Sequence, residues 1–173
     1  LATAAAARGI GLTVVPPLSD AEGVISSTRI RRALQDGYPE RATAELGRAW
    51  AIRGVVAHGD KRGRTIGFPT ANVALGRHLE PARGVYAVMV ALPDGSCRKG
   101  VANIGRRPTV NEGPESRLEV HLFDFAGDLY GQEIGVALHA YLRGEQKFAG
   151  LDALKAQIAV DAVAALALLA AGG

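Results

Sequence analysis

Gly84-Val85-Tyr86-Ala87-Val88-Met89-Val90-Ala91-Leu92-Pro93-Asp94-Gly95-Ser96-Cys97-Arg98-Lys99-Gly100-Val101-Ala102-Asn103-Ile104 is the segment on which the architecture turns. Two runs rich in β-branched residues flank Pro93-Asp94-Gly95-Ser96. An Asp-Gly pair tolerates positive φ, so the spacing predicts a hairpin closed at that turn. Further short runs at about 50–57, 117–125 and 133–142, with a shorter sixth at 71–75, are separated by turn residues. Strands of this length and spacing predict a mainly β, antiparallel barrel or sandwich.

Helical patterns bracket the strands. Ser26 and Ser27 stand before Arg29-Ile30-Arg31-Arg32-Ala33-Leu34 and Gly37 comes after it, which predicts a short capped helix over 26–36. A second helical piece is expected over 39–48, with Pro39 near its start and Glu45 and Arg48 paired at i,i+3. At the other end, Leu154, Ile158, Ala162, Ala165 and Leu169 recur at helical spacing, so 151–170 should form a helix packed on the barrel.

The 173 residues amount to one domain and a remainder, enough to bury a core without staples. A single cysteine, Cys97, excludes a disulfide scaffold and fits a reducing, cytoplasmic setting. Of 20 basic residues, sixteen are Arg, whose planar forks suit phosphate. Net charge is +1 over 1–60, +6 over 61–117 and −4 over 118–173, so an anion belongs in the middle third. A solvated basic face would produce the same imbalance. The Ala-rich opening after Leu1 has no secretory h-region, and the chain reads as part of a longer one. Residues 162–173 are uncharged, but Asp161 and Lys155 interrupt a longer window, so no membrane span is expected.

The richest chemistry lies in His58-Gly59-Asp60-Lys61-Arg62-Gly63-Arg64-Thr65-Ile66-Gly67-Phe68-Pro69-Thr70-Ala71-Asn72. Gly59, Gly63 and Gly67 allow close backbone approach to a ligand, and Lys61, Arg62 and Arg64 add positive charge. Phosphate is the natural guest, although the spacing is not that of a P-loop and a plain hairpin loop fits equally. Pro69 stiffens the backbone on either side of it. Thr70 and Asn72 then share one face of an extended chain and can offer a hydroxyl and an amide oxygen to a hard cation, or cap a turn.

Gly67-Phe68-Pro69-Thr70-Ala71-Asn72 is succeeded, in order, by four more segments. They are Gly84-Val85-Tyr86-Ala87-Val88, Gly100-Val101-Ala102-Asn103-Ile104-Gly105-Arg106-Arg107-Pro108-Thr109, Leu118-Glu119-Val120-His121-Leu122-Phe123-Asp124-Phe125 and Leu142-Arg143-Gly144-Glu145-Gln146-Lys147-Phe148. This set, spread over residues 50–160, resembles the bacterial bifunctional riboflavin kinase/FAD synthetase family. The resemblance implies a six-stranded antiparallel Greek-key barrel with a C-terminal helix over 49–173. It also implies that 1–48 is a short helical remnant of an α/β FMN adenylyltransferase domain.

Roles carry over position by position. By resemblance, Thr70 and Asn72 hold a divalent metal, Mg²⁺ or Zn²⁺, with the nucleotide phosphates. Gly59, Lys61, Gly63, Arg64 and Gly67 belong to a flap over ATP, and Glu119 is the catalytic base. Asn103, Arg106, Arg143 and Phe148 border riboflavin. Gly144 departs from the family, where Pro is common after the Arg. Ser26, Ser27, Thr28 and Arg29 match a phosphate-contacting helix start of the adenylyltransferase. No His precedes His58, so the family's paired-histidine motif is missing and adenylyl transfer is expected only from a full-length chain.

The chemistry agrees with that mapping. Phosphorylating a primary alcohol requires a proton acceptor, a cation and positioning, which Glu119, Thr70 with Asn72, and the glycine-rich loop would supply. Alternation on the 118–125 strand puts Glu119, His121 and Phe123 on one face and Leu118, Val120 and Leu122 on the other. The expected substrates are ATP and riboflavin, giving ADP and FMN, with no nucleic acid or membrane partner. The alternative from another class is a basic β-barrel binding nucleic acid, which the 5% aromatic content disfavours.

Overall fold

The computed structural model describes residues 1–58, 68–107 and 115–171. Six strands close into a barrel: β3 (Ala51–Ala57), β4 (Ala71–Ala74), β5 (Gly84–Ala91), β6 (Cys97–Arg107), β7 (Glu115–Leu122) and β8 (Glu133–Arg143). The ring order is β3-β4-β7-β6-β5-β8, every neighbour antiparallel. Two connections, β4 to β5 and β7 to β8, skip strands, which makes the path a Greek key. All six expected strands are present. The hairpin closes as the Asp-Gly pair predicts: Gly95 has φ 82°, and Asp94 accepts from Ser96 N at 2.9 Å and Ser96 Oγ at 2.7 Å.

One expected strand stops well short of its sequence run. β7 ends at Leu122, not at 125, because Asp124 adopts φ 50° and turns the chain. Phe125 therefore leaves the strand and packs against the end of the core.

Period-2 alternation fills the barrel. Tyr86, Val88, Ile104, Leu118, Val120 and Leu138 are among the fully enclosed side chains. The Tyr86 hydroxyl donates to Ala82 O at 2.5 Å, and burial pushes its phenol well above the usual tyrosine range. Outside the barrel, α4 (Leu151–Ala171) lies over β5, β6 and β8. Ala165 and Leu169 join Val85, Ala87 and Val101 in a second apolar cluster. By length and composition alone α4 could cross a membrane; here it packs on the barrel through those residues and the buried Asp161.

The N-terminal part contains α1 (Ala2–Ala6), a two-strand ladder of β1 (Ser19–Asp20) and β2 (Gly23–Val24), α2 (Ser27–Gln35) and α3 (Pro39–Leu46). α1 and the ladder lie outside the elements expected from the sequence. Ser26 caps α2 by accepting from Arg29 N at 3.3 Å. Ala33, Leu34 and Ala42 pack with Trp50 and Leu79, and Trp50 also touches the barrel core, so the helices seat on the barrel. The expected Glu45–Arg48 pair does not form. Gly47 at φ 68° ends α3 before Arg48, and Glu45 accepts from Arg29 Nε at 2.6 Å.

Candidate active site

Strand register gathers the candidate residues into one row around the barrel. Ala57 pairs with Asn72, Asn72 with Glu119, Glu119 with Asn103, Asn103 with Val85, and Val85 with Arg143. Directly opposed residues on antiparallel strands share a face, with Cα atoms about 4.5–5.5 Å apart. Their chain neighbours Val73, Leu118, Val120, Ala102 and Ile104 are buried in the barrel, so the row faces outward. Asn72, Glu119 and Asn103 are thus consecutive neighbours on one wall.

Their surroundings differ. Asn72 is buried at 8% exposure, Asn103 is half-buried, and Glu119 is exposed. No hydrogen bond or ion pair engages the Asn72 or Glu119 side chain among the described residues. Among the described residues, an unengaged carboxylate therefore stands beside an unengaged amide. Thr70, just before β4, lines a small pocket with Val56, Pro69, Leu122, Phe125 and Tyr130. Among the described residues no group of three or more His, Cys, Asp or Glu could hold a metal. The donors present, a hydroxyl and an amide oxygen with a carboxylate opposite, suit a hard cation that takes its remaining ligands from phosphates or water.

His121 fixes the segment before β4. Its Nδ1 donates to Pro69 O at 2.9 Å, and its ring meets Phe68 edge-on at 5.3 Å and Phe123 at 5.8 Å. Sequence reasoning offered no such role for this histidine. Two residues from Glu119 on the same face, it ties Thr70's segment to the strand that carries the carboxylate. Gly59, Lys61, Gly63, Arg64 and Gly67 lie outside the described residues, as does the side chain of Arg106. Before that loop, His58 stacks on Tyr130 at 4.0 Å, on the rim of the Thr70 pocket.

Arg143 ends the row and is already engaged. Nε and Nη2 donate to the Asp161 carboxylate at 2.9 and 2.7 Å, and Nη1 donates to Gly144 O at 3.0 Å. Its guanidinium stands 5.7 Å from the Phe148 ring centroid, so the structure brings these two candidates together. Gly144 is outside the left-handed region, and a Cβ there would meet only Tyr141 Oη at 3.5 Å, so this position does not require glycine. Asp161 was legible only as a charge on the apolar stripe, between Ile158 and Ala165. Ser26, Ser27, Thr28 and Arg29 sit apart from the row, at the start of α2. Asp20 and Glu45 both grip Arg29, holding Asp20 below the usual carboxylate range and raising Arg29 further.

The family profile described as riboflavin kinase (flavokinase) matches residues 46–169, most of the chain. The chain belongs to the riboflavin kinase family. Among relatives of this family member, the bifunctional riboflavin kinase/FMN adenylyltransferase of Escherichia coli (strain K12) is 55% identical over 141 residues, covering 82% of this chain and 45% of its own. Proteins of the same description from Haemophilus influenzae and Bacillus subtilis are 51% and 47% identical, covering 79% and 87% of this chain and 44% and 48% of theirs. The riboflavin kinase-family chain thus spans about half the length of the curated relatives it matches. A solved Streptococcus pneumoniae structure described as a macrolide-efflux protein is also similar, at 42% identity and TM-score 0.81 over 88% of this chain and 50% of that one.

Proposed function

We propose that this chain transfers the γ-phosphoryl group of ATP to the ribityl 5′-hydroxyl of riboflavin, giving FMN and ADP. The observation that carries the reading is the row in which the unengaged Glu119 carboxylate stands next to the nearly buried Asn72 amide on the outer barrel wall. Glu119 accepts the hydroxyl proton while the 5′-oxygen bonds to the γ-phosphorus and the bond to the β,γ-bridging oxygen breaks. The nucleotide lies by the Thr70 pocket, and Gly59, Lys61, Gly63, Arg64 and Gly67 serve as its phosphate-binding residues. Thr70 and Asn72 would hold a divalent cation, Mg²⁺ or Zn²⁺, which when bound neutralises charge on the transferring phosphate. Riboflavin lies along Asn103 toward Arg143 and Phe148, with Arg106 on the same strand.

Residues 49–173 form the kinase unit, and 1–48 belong to the adenylyltransferase side of a bifunctional protein; the family match beginning at residue 46 supports that boundary. Ser26, Ser27, Thr28 and Arg29 serve that second half, so FMN adenylylation is not expected from these residues alone. ATP as co-substrate and one free cysteine, Cys97, favour a cytoplasmic setting. The exposed carboxylates Glu119 and Glu145 on the outer face argue against nucleic acid as the partner. The test is direct: purified protein with ATP, Mg²⁺ or Zn²⁺ and riboflavin should form FMN, detected by chromatography. No FMN with either cation at saturating substrates overturns the reading.

A further inference from the structure

The Arg143–Asp161 pair is more than an anchor for α4. Asp161 is 4% exposed on the helix face that otherwise buries Ala165 and Leu169. A buried ion pair is rarely better for stability than apolar residues of similar size, because two charges must leave water. Ala165 and Leu169 already hold this helix down. What the carboxylate adds is direction: it occupies Nε and Nη2 of Arg143, while Gln157 Nε2 donates to its Oδ1 at 2.9 Å and holds it in turn. With Nη1 on Gly144 O, the guanidinium plane is fixed with Phe148 beside it.

That plane sets the course of the chain leaving β8. Glu145, two residues on, brings Oε1 to 2.6 Å from where a Cβ on Gly105 would stand, and Asn103 Nδ2 is 3.2 Å from the same point. The turn after Arg143 is therefore laid over β6 beside Asn103, the next residue in the row after Glu119. We infer that Asp161 is a positioning residue: through Arg143 it holds the 143–148 turn as the wall against which the phosphoryl acceptor is seated. This rests on the riboflavin kinase reading above.

Asp161→Asn keeps the shape and removes the charge. It should raise KM for riboflavin about tenfold, the scale of a weakened charge-assisted pair, while KM for ATP moves less than about twofold. Asp161→Glu should recover part of the riboflavin KM. The combined Arg143→Ala, Asp161→Asn variant should be no worse than Arg143→Ala alone, since one acts through the other. Gln157→Leu, a milder change suited to the case in which Asp161→Asn does not fold, should shift the riboflavin KM in the same direction by about twofold. An unchanged riboflavin KM in a folded Asp161→Asn variant, equal shifts in both KM values, or fully additive effects would overturn the inference. Absence of FMN formation by the unaltered protein would instead reject the kinase reading.

Discussion

The two halves of the outer barrel wall obey the same pleat but differ in what covers them. Along β5 and β6, outward residues Val85, Ala87 and Val101 are apolar and lie beneath α4. Along β4 and β7, outward residues Asn72, Glu119 and His121 are polar, and among the described residues no helix packs on these two strands. A strand's outward face is ordinarily wet, so an apolar half reports a cover. The apolar half should govern stability and the polar half turnover.

Glu119→Gln probes this division most severely. It should lower kcat by about 10²–10⁴-fold, as removal of a general base does, with the unfolding midpoint almost unmoved because the side chain is exposed. If kcat is unchanged, Glu119 is not the proton acceptor. Leu169→Ala is the converse and should cost about 2–3 kcal/mol in denaturant titration with kcat per folded molecule retained. A full loss of turnover in folded protein would show that the covered half belongs to the site. Asn72→Ala should weaken metal-dependent ATP binding by about tenfold in calorimetry, with nucleotide binding in EDTA little changed. Equal weakening with and without cation would move the metal elsewhere.

The smallest effect is on pH. Partial burial holds the His139 imidazole on β8 below its usual value of about 6.5. Above that pH the ring is neutral whether the chain is folded or unfolded. As pH falls through about 6.5, the unfolded chain takes up a proton that the folded one resists, so stability declines until the folded group also protonates. Melting curves from pH 7.5 to 5 should show this decline, and His139→Gln should flatten it. A parallel decline in both proteins would assign it to other groups.

Much of this was legible from local pattern. Asp94-Gly95 marks its own turn, and the β-branched run before it marks a strand whatever pairs beside it. The strand run at 71–75 is legible in the same way, from its apolar residues alone. Other features depend on groups far along the chain. Glu45 finds Arg29, 16 residues upstream, since Gly47 carries Arg48 off the helix. His121 finds Pro69 across 52 residues, and Arg143 finds Asp161 across 18. No periodicity encodes such partners.

From the sequence alone come the six strands, the two faces of the strand that carries Glu119, the tight turn at Asp94-Gly95 and the chemical kinds of the candidate residues. All of these depend on forces within a few residues of each position. Closure of the sheet decided the rest. Only when β4, β7 and β6 lock side by side does register bring Asn72, Glu119 and Asn103 abreast, because a one-residue slip would turn a whole strand's side chains to the other face.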